Sequence, residues 1–238
     1  MQAHLIRAGG ELLVYDPTLV EPPDPDWFEP ERLAAQGRIL GQSSGRRAAY
    51  FVSLPPHTLV LRHYWRGGMM ARLSADRYLW LGEQRTRVLR EWQLLQTLHE
   101  RGLPVPRPAA ARLRREGLSY SADLLTLRIP DTDSLAARVG ASALSAPLWE
   151  AVGRCLRRFH DAGAYHADLN AHNILLDRQD RVFVIDWDRG RLIKPARRWQ
   201  QANLARLFRS LEKLHRLRAA FHYDQQCRER LLAGYEGR

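Results

Sequence analysis

The chain has 238 residues, a length that allows one large domain or two small lobes around a cleft. Its 45% hydrophobic and 26% charged residues are typical of a soluble globular protein, and no stretch approaches the roughly 20 apolar residues that span a bilayer. The 37 lysines and arginines outnumber the 26 aspartates and glutamates, so the net charge of +11 predicts an anionic partner: a nucleic acid, an acidic membrane or a phosphorylated substrate.

The cysteines and the first residues indicate a reducing compartment and no export. Cys155 and Cys227 lie far apart with no pairing pattern, so we expect two reduced thiols and no metal-thiolate site. The first 16 residues lack a continuous apolar segment, so we expect neither a Sec signal peptide nor an integral membrane protein.

The first half of the chain is predicted to be rich in strands. Residues 37–54 have the pattern of a hairpin with Gly41 and Gly45 at its tip, and residues 57–65 that of a third strand. Apolar residues at helical spacing predict a helix over 85–100. Further predictions are a strand at 11–15, a proline-rich loop at 21–30, a helical turn at 30–35 and a strand-like hairpin at 118–129.

The second half is predicted to be mostly helical. Residues 130–134 are an extended connector, and helices follow at 149–162 and 196–221. The second of these helices has an apolar stripe with arginines around it, a pattern that fits a core-packing helix and also a helix on an anionic membrane.

The stretch 165–188, YHADLNAHNILLDRQDRVFVIDWD, carries the candidate chemistry. Asp168, Asn173 and Asp186 flank two short apolar runs of strand type, at 174–176 and 182–185. Hard oxygen ligands of this kind chelate Mg²⁺, and a further carboxylate can orient a hydroxyl nucleophile. Each residue also has a purely structural interpretation, since aspartate and asparagine cap turns and hold loops.

The order of elements resembles the protein-kinase-like fold. That resemblance implies an α+β, two-lobed protein with a small β-rich N-lobe, a mostly helical C-lobe and an ATP cleft between them. The expected parts are an N-terminal extension at 1–36, an N-lobe at 37–130 and a C-lobe at 131–238.

The resemblance implies a role for each polar residue. Asp168 would accept or orient the proton of the attacking hydroxyl, and Asn173 and Asp186 would ligate Mg²⁺. Arg62 stands where most kinases have a lysine, with Glu91 as its expected partner and Glu83 as a second choice. ATP phosphates would be held by Arg62, Glu91 and the loop of Gly41, Gln42, Ser43, Ser44 and Gly45.

Two differences from the protein-kinase pattern indicate that the substrate is not a protein. Asp188 replaces the glycine of the kinase Asp-Phe-Gly motif, and no Ala-Pro-Glu segment precedes the final helices. The sequence therefore does not indicate a protein kinase with a regulated activation loop.

Four motifs together resemble the lipopolysaccharide kinase family. They are LRHYWRGG at 61–68, DRYLW at 76–80, GLPVPRP at 102–108 and YHADLNAHNIL at 165–175. The resemblance implies transfer of the γ-phosphate of ATP to the 4-hydroxyl of a 3-deoxy-D-manno-octulosonic acid (Kdo) residue on a lipid A precursor. It also implies a peripheral protein on the cytoplasmic side of the inner membrane and no nucleic-acid partner. Arg66, Arg72 and Arg77, or the arginine-rich final helices, are the candidate contacts to the anionic membrane surface.

Two alternatives remain open. One is a kinase of the same fold that acts on core heptose, on another small molecule or on a protein. The other is a non-catalytic nucleic-acid or membrane-binding module, which would leave the acidic constellation without a role.

Overall fold

The computed structural model describes residues 3–43, 49–65 and 76–237. The chain divides into two compact units, one of Met1–Gln96 with Arg107–Arg128 and the other of Thr97–Pro106 with Ile129–Arg238. Residues 1–36, expected to form an N-terminal extension, belong to the first unit. The predicted cleft between two lobes stays a prediction.

Helices and strands within the described ranges are numbered in chain order. The helices are α1 (Pro30–Ala35), α2 (Arg87–Glu100), α3 (Leu135–Ala141), α4 (Ala146–Asp161), α5 (Arg197–Leu217) and α6 (Gln225–Glu236). The strands are β1 (His4–Ala8), β2 (Glu11–Tyr15), β3 (Ile39–Gln42), β4 (Tyr50–Leu54), β5 (His57–His63), β6 (Tyr78–Leu79), β7 (Pro108–Glu116), β8 (Ser119–Leu127), β9 (Asp133–Ser134), β10 (Ala164–Tyr165), β11 (Ile174–Leu176), β12 (Val182–Val184) and β13 (Arg191–Leu192). Short 3₁₀ turns lie at Pro25–Phe28 and Glu83–Arg85.

The first unit is built on one antiparallel sheet. Its described strands run in the order β1-β2-β7-β8-β5-β4-β3, and β6 pairs with β8. Alternation along β5 buries Leu59 and Leu61, which pack in one core with Phe28 and Leu33 from the first 36 residues. That contact makes the N-terminal segment part of the hydrophobic core of this unit.

One prediction about the sheet was wrong, and three of its strands were not predicted. The stretch 118–129 is not a hairpin but the single strand β8, which pairs with β5 on one side and β7 on the other. The strands β1, β6 and β7 were not predicted. For β7 the local signal is weak, because the strand begins with a proline and three alanines, residues that are depleted in strands.

The second unit contains α3 to α6 and two small sheets. In the larger sheet the order is β12-β11-β9, and in the other β10 pairs with β13. The apolar faces predicted for α4 and α5 are buried, as Phe159 at 2% exposure and Leu207 at 0% illustrate. Burial also raises the pKa of the Cys155 thiol to about 12. Among the described residues, no helix is both long and apolar enough to cross a membrane.

Helices α4 and α6 cross at two glycines. A Cβ atom added to Gly153 would lie 2.0 Å from the carbonyl oxygen of Leu231, and one added to Gly234 would lie 2.1 Å from that of Glu150. The backbones can approach this closely only because neither position carries a side chain. Helix α6 was not predicted by itself, since its apolar residues are few and irregularly spaced.

Candidate active site

The strand pair β11 and β12 positions two of the three predicted site residues. Asn173 directly precedes β11, and Asp186 comes two residues after β12. A hydrogen bond from the Ile185 amide to the Asn173 carbonyl, 2.9 Å long, continues the ladder beyond the strands. The two segments that carry Asn173 and Asp186 are therefore joined by their backbones.

Asp168 presents its carboxylate to solvent. Its side chain is 64% exposed, and its Oδ1 lies 3.4 Å from a guanidinium nitrogen of Arg206. The Oδ2 accepts from the side-chain amide of Asn170 at 3.2 Å. Asn173 donates its side-chain N–H to the Asp168 carbonyl at 2.9 Å, which leaves the side-chain oxygen of Asn173 as an acceptor. Asp168 and Asn173 thus lie in one hydrogen-bonded loop.

His166 ties this loop to the segment that contains Asp186. Its Nδ1 accepts from the backbone N–H of Asp168 at 3.1 Å, which requires the other ring nitrogen to carry the proton. That nitrogen, Nε2, then donates to the carbonyl of Ile185 at 3.0 Å. Burial of the ring lowers the pKa of His166, so the neutral tautomer that fits both bonds is the stable one at neutral pH.

Asp186 has a strained backbone held in place by its neighbour. Its φ of 62° lies in the left-handed region, which costs a non-glycine residue energy but is tolerated best by aspartate and asparagine. Trp187 is 1% exposed, and its indole N–H donates to the Val184 carbonyl at 3.0 Å. The same ring meets His166 edge to face at 4.8 Å. This buried anchor fixes the backbone on which Asp186 sits.

Helix α5 supplies site residues that the sequence analysis did not identify as such. The side-chain amide of Asn203 donates to the His166 carbonyl at 3.0 Å, and Ser210 accepts from the backbone N–H of Ala171 at 3.3 Å. Arg206, between them, contacts Asp168. Arg206 was counted only among the basic positions of the helix, because a separation of 38 residues leaves no local signal of the contact.

In the first unit, Arg62 and Glu91 form the predicted pair. The two guanidinium nitrogens donate to the two carboxylate oxygens at 3.0 and 2.9 Å. The Tyr64 hydroxyl donates to the same carboxylate, and the Glu91 side chain is 1% exposed. Glu83, the second choice, instead pairs with Arg7 at 2.9 Å. Glu91 therefore fixes the direction in which the Arg62 guanidinium lies.

The predicted phosphate loop is described in part. Gly41 pairs with Phe51 and Gln42 with Tyr50, after a break in register that follows Ile39. The Ser43 hydroxyl accepts from the Ala49 amide at 2.9 Å and so begins the closure of the hairpin. Ser44 and Gly45 lie outside the described residues, as do Arg66 and Arg72.

The arrangement in the second unit defines a class of enzyme. An exposed aspartate lies five residues before a buried asparagine, and a strand pair that ends at another aspartate follows; this order is typical of a protein-kinase-like phosphotransferase. The chain belongs to the lipopolysaccharide kinase (Kdo/WaaP) family, whose sequence model matches residues 30–235.

Relatives of known name cover most of the chain. A protein of Stenotrophomonas maltophilia (strain R551-3) is 46% identical over 202 residues, which are 85% of this chain and 80% of the relative. Another, of Xanthomonas campestris pv. campestris (strain B100), is 46% identical over 224 residues, which are 94% of this chain and 89% of the relative. Both are named 3-deoxy-D-manno-octulosonic acid kinase. The predicted family is thereby confirmed.

A solved structure supports the fold. The chain matches WaaP in complex with acyl carrier protein with a TM-score of 0.56 and 20% sequence identity, over 90% of this chain and 83% of the other. At that identity the match shows the fold alone. The prediction of a kinase-like protein with mixed helices and strands is confirmed.

Proposed function

We propose that this protein transfers the γ-phosphate of ATP to the 4-hydroxyl of a Kdo residue on a lipid A precursor, as a step in lipopolysaccharide inner-core synthesis. The observation that carries the proposal is the loop 166–173, in which an exposed Asp168 carboxylate is held beside Asn173 and tied through His166 to the segment of Asp186. The names of the relatives supply the acceptor.

Asp168 is the proposed catalytic residue. Its carboxylate is exposed and can reach a sugar hydroxyl, from which it would accept or orient the proton as the oxygen attacks the phosphorus. The hydrogen bonds of His166 and Asn173 to the backbone of this residue would hold the carboxylate in position without occupying its oxygens.

Asn173 and Asp186 are the proposed ligands of Mg²⁺. An amide oxygen and a carboxylate are hard ligands, and protein sites commonly bind this ion through one or two such groups while substrate phosphates and water fill the other positions. When bound, Mg²⁺ neutralises charge on the β- and γ-phosphates. The donation of the Asn173 amide to the Asp168 carbonyl turns the amide oxygen into the available ligand atom, which fits this assignment.

Arg62 and the hairpin at 41–45 are the proposed contacts to the ATP phosphates. A guanidinium that is already oriented by Glu91 loses little conformational freedom when it binds an anion. The hairpin of Gly41, Gln42, Ser43, Ser44 and Gly45 would donate backbone N–H groups to the same anion, except for the N–H of Ser43, which donates to the Ala49 carbonyl at 2.8 Å.

The net charge of +11 supports a peripheral site of action on the cytoplasmic side of the inner membrane. A lipid-linked acceptor lies among anionic lipids, which attract basic residues by about 1 kcal/mol each before screening. Arg77 and the exposed arginines of α5 are candidate contacts. Binding to vesicles with and without anionic lipid, at two salt concentrations, tests this part independently.

Phosphate transfer tests the proposal directly. The purified protein is incubated with ATP, Mg²⁺ and Kdo-lipid acceptor, a heptose-containing core acceptor is offered in parallel, and mass spectrometry locates the new phosphate. We expect phosphate on Kdo and a loss of at least about 100-fold in rate for Asp168→Asn.

The matched control is Asp161→Asn, which changes another exposed aspartate of the same unit, 55% exposed and paired with Arg157. This variant should keep the full rate. If phosphate appeared on heptose alone, the proposed acceptor would be wrong. Full activity of Asp168→Asn would refute the catalytic role of Asp168.

A further inference from the structure

Arg206 is held beside the proposed catalytic carboxylate by the helix that carries it. One turn earlier on α5, Asn203 is bonded to the backbone of His166, and one turn later Ser210 is bonded to that of Ala171. These two contacts clamp residues 203–210 against the loop that bears Asp168. The position of Arg206 next to Asp168 is therefore set by the packing of α5 and not by a flexible surface encounter.

The contact between the two charges is loose. The guanidinium nitrogen lies 3.4 Å from the Asp168 oxygen, whereas charge-assisted hydrogen bonds are usually about 2.7–2.9 Å long. Among the described residues this oxygen is the single hydrogen-bond partner of the guanidinium, and the Arg206 side chain is 46% exposed. Most of its five N–H donors therefore bond no described residue, and the exposed part of the side chain is accessible to a ligand anion.

A carboxylate-bearing acceptor needs a cation at this place. Asp168 and Asp186 give the site negative charge, and ATP adds more, so the acid group of a sugar acid would be repelled from the hydroxyl-activating residue. An arginine fork matches a carboxylate with two parallel hydrogen bonds. We infer that Arg206 binds the carboxylate of the acceptor sugar and so selects a sugar acid; this inference rests on the proposed function.

Kinetics and direct binding together test the role of Arg206. The variants are Arg206→Ala, Arg206→Lys and the control Arg154→Ala, which removes an exposed helical arginine of the same unit whose own ion pair is 3.6 Å long. We expect Arg206→Ala to raise the KM for Kdo-lipid about tenfold and to change the KM for ATP less than twofold. Arg206→Lys should recover part of the loss, and Arg154→Ala should match the wild type.

A second acceptor isolates the carboxylate. In this acceptor the Kdo carboxyl is converted to an amide. The wild type should bind the amide about as weakly as Arg206→Ala binds the natural acid. Arg206→Ala should bind the amide and the acid with nearly equal affinity. The inference would be overturned if Arg206→Ala raised the KM by the same factor for both acceptors. It would also be overturned if the substitution raised only the KM for ATP.

Calorimetric binding of the Kdo-lipid to nucleotide-free protein separates the two proposals. If the wild type binds the acceptor but transfers no phosphate, the proposed function fails while a tenfold weaker binding by Arg206→Ala still supports its role. Equal binding by the wild type and Arg206→Ala would overturn the inference even if transfer occurs.

Discussion

Arg62 and Glu91 are joined by two hydrogen bonds of 3.0 and 2.9 Å, although the side chain of Arg62 is 27% exposed and that of Glu91 only 1%. The pair links strand β5 to helix α2. The carboxylate is buried, whereas the guanidinium reaches solvent. Removal of the arginine therefore leaves a buried charge without its partner, whereas removal of the glutamate leaves an arginine that water can solvate.

Arg62→Ala should therefore destabilise the protein as well as weaken ATP binding. We expect the free energy of unfolding to fall by about 3 kcal/mol, since removal of one partner of a buried pair leaves the other uncompensated. Urea denaturation measures this fall. Arg90→Ala, which removes an arginine on the exposed face of α2, should change the stability by less than about 0.5 kcal/mol. An Arg62→Ala protein as stable as the wild type would contradict this account of the pair.

His166→Phe should lower kcat without a matching change in KM. Phenylalanine fills the space of the ring but can neither accept from the Asp168 amide nor donate to the Ile185 carbonyl. A displacement of the loop by about 1 Å costs on the order of 100-fold in rate. Steady-state kinetics gives the split between kcat and KM, and thermal melting shows how much of the loss is unfolding. A rate that falls only in proportion to the unfolded fraction would contradict the positioning role.

Gly153→Ala should disrupt the crossing of α4 and α6. The added Cβ would lie 2.0 Å from the Leu231 carbonyl oxygen, so the helices must separate, at a cost of about 3 kcal/mol. Gly140→Ala is the matched helical control, because its Cβ meets the flexible end of Arg218 at 3.3 Å. The control should be neutral or slightly stabilising. Equal melting temperatures for the two variants would mean that the crossing is looser than described.

His160 should make the protein less stable in mild acid. Burial lowers the pKa of His160 from 6.5 to about 4, so the unfolded chain binds a proton more readily than the native protein as the pH falls from about 6.5 to about 4. Between pH 7.5 and 5 this group should remove about 2 kcal/mol of stability. Urea denaturation at both values tests the figure, and His160→Gln should flatten the dependence. His222→Gln, at an exposed position, should leave it unchanged.

Local patterns in the sequence predicted much of the fold. The alternation of β5 and the helical spacing of α2 and α4 correspond to elements whose apolar faces are buried, because each face is encoded within a few residues. The pair of Arg62 and Glu91 was predicted across 29 residues from the resemblance to kinases, which supplied the long-range contact that the residues by themselves do not encode.

The remaining features depend on tertiary contacts. Strand β7 forms from alanine and arginine because β2 and β8 pair with it on both sides, and no local propensity favours it. Asn203 and Arg206 reach the loop 166–173 only because α5 packs behind that loop. The requirement for glycine at position 234 arises from the close contact between α4 and α6, which the local sequence does not reveal.

The left-handed backbone of Asp186 has a consequence for how this enzyme class can lose its activity. Asparagine and glycine also adopt a φ near 62°, and each is one nucleotide change away from aspartate. Either replacement would remove the proposed metal-binding carboxylate while the chain around Trp187 keeps its shape. On this proposed role of Asp186, a single mutational step would turn the gene into one for a well-folded protein that no longer transfers phosphate.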